Sequence, residues 1–104
     1  MKTPAKTPDP PYYAVIFTSI RHDSDDGYDK TADEMLALAS KQPGFLGFES
    51  ARKDIGISIS YWSTFEAIGA WKENTAHRLA KDRARDWYKV FRVRVCRVER
   101  EYGF

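Results

Sequence analysis

Residues 45–71 read FLGFESARKDIGISISYWSTFEAIGAW, and this stretch decides the fold. Phe45 to Lys53 predicts a strand and Asp54 a turn. Ile55 to Trp62 then alternates Ile55, Ile57, Ile59 and Tyr61 with Gly56, Ser58, Ser60 and Trp62, so the two segments pair as a hairpin. Small residues at every second position suit a strand that lines a cavity or meets another backbone closely. Ser63, with Glu66 three residues on, predicts a capping box. Phe65, Ile68, Trp71, Ala76, Leu79 and Ala80 carry a helical stripe onward; Glu73-Asn74-Thr75 interrupts it, with Asn74 placed to cap a second half.

Toward the N-terminus, Tyr28, Ala32, Met35, Leu36 and Ala39 recur at helical spacing and predict an amphipathic helix to about Gln42, stopped by Pro43-Gly44. A loop, His22 to Gly27, separates it from YYAVIFTSIR, residues 12–21, which is apolar on both parities and predicts a strand covered on both faces. Residues 1–11 hold Pro4, Pro8, Pro10 and Pro11 and predict a flexible arm. Toward the C-terminus, Lys89 to Glu99 predicts a long strand with Phe91, Val93 and Val95 on one parity but Cys96 and Val98 on the other. This implies either a β-bulge near Val95 to Arg97 or a change of environment midway. The order β-α-β-β-α-β predicts an α+β, ferredoxin-like domain over residues 12–104, a four-stranded antiparallel sheet with two helices on one face. Since the strands are apolar on both parities, the open face needs a cover, and a second copy packed face to face as a homodimer supplies it.

Composition narrows the function classes. With 104 residues and 42% hydrophobic content the chain makes one domain. The longest apolar run is Ala14 to Phe17 and the start is polar, so no membrane span or signal peptide is expected and a cytoplasmic location is. One cysteine, Cys96, allows no internal disulfide, and His22 and His77 lie too far apart for a zinc motif. The acidic loop after His22 has its glycine at the wrong position for a calcium loop. The net charge of +2 hides an acidic first part and a basic last part, which suits ion pairs within or between protomers. The basic segment has aromatic neighbours, but IGISISYW stands where an RNA-binding sheet carries its basic-Gly-aromatic motif, so no nucleic-acid partner is expected.

The stretches PGFLGFESAR, ISISYWSTFEAIGAWKENTAHRLAK and WYKVFRVRVCRVEREY resemble the antibiotic biosynthesis monooxygenase superfamily, over residues 12–102. The resemblance implies a dimeric α+β barrel. It leaves the activity open, because the superfamily holds cofactor-independent monooxygenases, haem-degrading enzymes and proteins of other or no known activity. In the polyketide-oxidising branch an asparagine and a tryptophan of the third strand and a tyrosine of the second helix surround a phenolic substrate. Trp62 matches the tryptophan, while the asparagine position falls on Ser58 and the tyrosine position on Ile68. In the haem-degrading branch Trp71 matches a tryptophan, the asparagine position falls near Thr18 and the histidine position near Lys81, with His77 about one turn earlier.

The candidate chemistry follows. Trp62 and Trp71 are the expected aromatic walls of a pocket between sheet and helices, with Phe17 and Tyr61 completing its lining; the plain alternative is that both indoles are core. His77 is the expected general base, because a cofactor-free oxygenase must deprotonate a substrate whose anion reduces oxygen; the alternative is a surface or interface histidine. The expectation is a monooxygenase that oxidises a small aromatic or quinol-like compound with O2 and no bound cofactor or metal. The other readings are a haem-binding or haem-degrading protein and a non-catalytic, small-molecule-binding dimer.

Overall fold

A computed structural model describes residues 3–22, 27–74 and 82–104. The elements run β1 (Tyr12–Arg21), α1 (Tyr28–Ala39), β2 (Phe45–Arg52), β3 (Gly56–Trp62), α2 (Phe65–Lys72), α3 (Ala84–Trp87) and β4 (Tyr88–Val98). The strands form one sheet in the order β2-β3-β1-β4, with every neighbouring pair antiparallel. This is the α+β, ferredoxin-like arrangement expected from the order of elements. No helix among the described residues is long and apolar enough to cross a membrane.

Directly opposed residues of antiparallel strands share a face, so the register divides the sheet. Tyr13, Val15, Phe17 and Ser19 of β1 lie opposite Trp62, Ser60, Ser58 and Gly56 of β3 and opposite Arg97, Val95, Val93 and Phe91 of β4. This is the helix side: the Phe65 ring of α2 lies 4.0 Å from Tyr13 and the Trp71 ring 6.4 Å from Trp62. The other side carries Tyr12, Ala14, Ile16 and Thr18 with Tyr61, Ile59 and Ile57, and with Val98, Cys96, Arg94 and Arg92. The buried hydrophobic residues are Trp62 of β3, 0% exposed, Ala39 of α1 and Trp87 of α3, with Tyr12 and Ala14 of β1 buried on the helix-free side. Residues 3–11 form no helix or strand and lie against the helix-free side. There the Ala5 amide donates to Glu49 Oε2 at 2.9 Å and the Thr7 hydroxyl to Tyr12 Oη at 2.9 Å.

Three local expectations are corrected. Helix α1 ends at Ala39, earlier than Gln42, because the backbone tightens there to three-residue turns, the Lys41 amide donating to Leu38 O at 3.2 Å and the Gln42 amide to Ala39 O at 3.0 Å, with Ser40 Oγ donating to Ala37 O and Gln42 Nε2 to Leu38 O. The cap of α2 is Thr64, whose Oγ1 accepts from the Ala67 amide at 3.0 Å, one residue past the expected Ser63. The backbone of Ser63 is committed instead to Gly44, its amide donating to Gly44 O at 2.8 Å. The register of β4 against β1 is unbroken from Val90 to Val98 and shifts only at Ile20/Arg21, so there is no bulge near Val95 to Arg97. The phase change is a change of environment: Phe91, Val93 and Val95 face the helix side, while Cys96 and Val98 face the other side beside Ala14 and Tyr12, both buried. The expected continuation of α2 past Asn74 lies outside the described residues.

Candidate functional site

The helix side has a floor of small residues. Ser58 and Ser60 replace large side chains on β3, with Phe17 and Val15 opposite them on β1 and Ser50 and Phe48 on β2. Aromatic groups stand at both ends of this floor. At one end Trp62 stacks on Trp71, at 25° between ring planes, and meets Phe45 edge-on at 5.4 Å. At the other Phe17 lies 5.2 Å from the Tyr88 ring and 5.7 Å from Phe91, and Tyr88 meets Tyr28 of α1 at 5.6 Å. Ser58 and Trp62 are four residues apart on one strand, so the two groups are separated by about 13 Å at roughly 3.3 Å per residue.

Polar groups gather at the Phe17 end. Tyr88 Oη donates to Tyr28 Oη at 3.1 Å. Arg52 Nη2 donates to Ser19 Oγ at 2.5 Å, and Gly56 opposite it leaves the space, since a side chain there would run into the Arg52 guanidinium. The Arg21 guanidinium lies 3.6 Å from the centre of the Tyr28 ring, a cation–π contact. Burial and the Tyr28 hydrogen bond push the Tyr88 hydroxyl well above the ordinary tyrosine range, against the opposing pull of Arg52 and Arg21. Tyr88 therefore stays a neutral donor at physiological pH. His22, just past β1, donates its backbone amide to Trp87 O at 2.9 Å and ties this end to α3.

The expected site residues divide as follows. Phe17 and Ser58 are opposed in register on the helix side, and Trp71 and Ile68 are half-buried on α2. Trp62 is core: it is fully buried and its indole N–H donates to Ser60 Oγ at 2.9 Å, so it supports the floor from within and offers no surface to a ligand. Tyr61 is on the opposite face, paired with Ala14. There it donates to Glu49 Oε1 and meets Tyr12 edge-on, and burial together with Glu49 raises its hydroxyl above the ordinary range. A strand has period two, so neighbours Tyr61 and Trp62 cannot line one pocket. His77 lies outside the described residues, as does Lys81. Thr18, near the haem branch's asparagine position, faces the helix-free side opposite Ile57 and Arg92, away from Trp71. Among the described residues no group of His, Cys, Asp and Glu could hold a metal ion.

Tyr28, Tyr88, Arg21 and Arg52 were not singled out from sequence. Tyr28 reads as part of the α1 stripe, Arg21 as the end of a strand and Arg52 as one residue of the strand that runs to Lys53. The available signal was Gly56, a gap in β3 that the hairpin register fills with Arg52. A separate open hollow of about 330 Å³ lies where the α1–β2 turn meets the start of α2, lined by Gln42, Gly44, Ser63, Thr64, Glu66 and Ala67 among others; none of the expected site residues lines it.

Comparison with known proteins places this geometry. The protein YqjZ of Bacillus subtilis (strain 168) is 49% identical over 103 residues, covering 96% of this chain and 90% of that one. Among solved structures, SnoaB from Streptomyces nogalater, a cofactor-independent oxygenase, superposes with a TM-score of 0.76 at 11% identity, covering 88% of this chain and 97% of that one. PA3566 from Pseudomonas aeruginosa superposes with a TM-score of 0.71 at 10% identity, covering 91% and 99%. The family model described as antibiotic biosynthesis monooxygenase matches residues 11–83, and with the relative at 49% identity it establishes that the chain belongs to the antibiotic biosynthesis monooxygenase family.

Proposed function

We propose that the protein is a monooxygenase of this family that oxidises a small phenolic or quinol-like compound with O2, without a bound cofactor, and works as a homodimer. The observation that carries the reading is the floor of Ser58 and Ser60 with Phe17, Tyr28, Tyr88 and Phe91 at one end and Trp71 at the other. Small side chains between two aromatic groups suit a planar ring, which aromatic edges and faces can hold. The similarity to SnoaB supports the reaction class.

In this reading the substrate is a phenol or hydroquinone with a free ring carbon ortho or para to a hydroxyl. Loss of the phenolic proton gives an anion able to pass one electron to O2. The radical pair combines at that carbon, and the hydroperoxide so formed loses water to give the quinone; substrate plus O2 becomes quinone plus water, so the electrons balance without an external reductant. His77 is the proposed proton acceptor, as the sequence suggests. The Tyr88–Tyr28 hydroxyl pair donates toward the anionic oxygen, and Arg52, fixed by Ser19, supplies a compensating charge.

The test is oxygen uptake by purified protein with a panel of phenols and hydroquinones, with metal chelator present and no flavin or haem added. One O2 should be consumed per quinone formed. Phe17→Ala and Tyr88→Phe should each lower kcat/KM by about tenfold or more, of the order of one lost transition-state contact. His77→Ala should abolish the rise in rate with pH near neutrality. No uptake across the panel would refute the reading.

A further inference from the structure

The helix-free side of the sheet carries one row that is complementary to itself. Glu49 of β2 pairs with Ile59 of β3, Ile59 with Ile16 of β1, and Ile16 with Arg94 of β4. The row has an acid at one edge, a base at the other and two isoleucines between. A twofold axis parallel to the strands, in the plane between two stacked sheets, sets this row over its own reverse. Glu49 then meets the Arg94 position of a second copy, and Ile59 meets the Ile16 position. Toward one end of this side Ile57, Ile20 and Val90 are 45, 39 and 54% exposed, Ile57 next to the row and the other two beyond Thr18 and Arg92.

Toward the other end the chain has covered itself. The Ala5 amide donates to Glu49 Oε2, Tyr61 donates to Glu49 Oε1, and Thr7 Oγ1 bonds the Tyr12 hydroxyl and, at 3.2 Å, the Glu101 carboxylate. The seat is shaped for the arm: a Cβ on Gly47 would stand 3.0 Å from the Ala5 methyl. Tyr12 and Ala14 are 5% and 4% exposed on a side with no helix over it. Glu49 is therefore shared between two uses. Seated, the arm takes one of its oxygens and stands over the edge of the sheet that a second copy would approach.

We propose that residues 3–11 are a built-in competitor for the dimer face, and that the arm must leave Glu49 for a second copy to bring its arginine there. This rests on the homodimer in the reading above and adds the control of its assembly.

The experiment is sedimentation equilibrium on the full chain, on a chain lacking residues 2–11, and on the full-length Ala5→Pro/Thr7→Ala variant. The last removes the arm's amide and hydroxyl donors while leaving the sheet face intact. Both altered chains should dimerise about tenfold more tightly than the full chain, the scale of one or two net hydrogen bonds. Arg94→Glu, at the sheet edge opposite Glu49, should weaken the dimer, and adding Glu49→Arg should restore it. If removing the arm leaves the dimer unchanged or weakens it, the arm is not a competitor, while the homodimer reading stands. If Arg94→Glu has no effect, the row is not the contact. If no chain dimerises at any concentration, the homodimer reading falls and the competition with it.

Discussion

Gly44 and Gly27 both hold left-handed backbone, at φ +85° and +74°, but only one of them is crowded. A Cβ at Gly44 would stand 2.7 Å from Ala67 Cβ and 2.8 Å from Ser63 Oγ, whereas one at Gly27 would meet nothing within 4 Å. Alanine at either site carries the left-handed cost of about 1–2 kcal/mol. Gly44→Ala adds a steric cost of about 1–3 kcal/mol, since Ala67 is held by the hydrogen bond from its amide to the Thr64 cap and Ser63 by its amide bond to Gly44 O. The expected losses are therefore about 1–2 kcal/mol for Gly27→Ala and about 2–5 kcal/mol for Gly44→Ala. Each kcal/mol moves the melting temperature of a domain this size by roughly 4–8 °C. Urea titration should show both midpoints lowered with an unchanged m-value. Ala67→Gly in the Gly44→Ala background should recover about 1 kcal/mol or more relative to its own single effect, because it removes the nearer contact. Equal losses at the two glycines, or no coupling with Ala67, would refute the view that the α1–β2 turn is packed against the start of α2.

Three further outcomes are expected. Ser60→Ala strands the buried indole N–H of Trp62 and should cost about 1–3 kcal/mol; in a Trp62→Phe background, with no N–H to satisfy, the same change should be close to neutral in a denaturant double-mutant cycle. The Tyr88 hydroxyl is raised in the folded state by burial and by Tyr28, so its contribution to stability is fully present below the unfolded value of about 10 and is lost as pH rises toward the folded one. Stability should fall with alkaline pH, and Tyr88→Phe should make that fall shallower by up to about one proton, read from urea midpoints across that range. The Arg83–Asp86 ion pair, at 3.7 Å between half-exposed side chains, should be worth under about 0.5 kcal/mol, so Asp86→Ala should leave the melting temperature within roughly 4 °C.

The element order was legible because its signals are local: strict alternation in residues 55–62, a helical stripe in 28–39, and Pro43-Gly44 between. What depends on pairing was less so. Nothing in the sequence of β4 tells a bulge from a change of face; only its register against β1 does, and that register is continuous. The cap passed from Ser63 to Thr64 because a contact with Gly44 fixes the Ser63 backbone, a long-range constraint acting on a local choice. Nothing local marks Arg52 apart from the rest of its strand; it joins the site only because the hairpin register sets it across from Gly56, within reach of Ser19. Tyr61 is different: the period of a strand already forbade it from sharing a pocket with Trp62, so its true face was readable from the residues alone.

One irregularity joins the two faces. Phe45 pairs with Trp62 and Gly47 with Tyr61, so Leu46 is an extra residue in β2. In a regular strand Phe45 and Phe48, three apart, would point to opposite sides. The bulge puts both on the helix side, Phe45 against Trp62 and Phe48 opposite Ser60, which supports one end of the floor. The same shift puts Gly47 and Glu49 together on the helix-free side, where Ala5 meets both. Were Leu46 taken into the regular alternation instead of bulged out, every β2 residue on one side of the slip would change faces relative to the rest: either Phe45 would leave the Trp62 cluster, or Gly47 and Glu49 would turn toward the helices and the arm would lose its seat. The aromatic end of the proposed substrate floor and the proposed control of dimer assembly thus both require that the extra residue be bulged out at Leu46, and deleting Leu46, which restores an unbroken ladder with Phe45 and Glu49 on their present faces, should leave both in place.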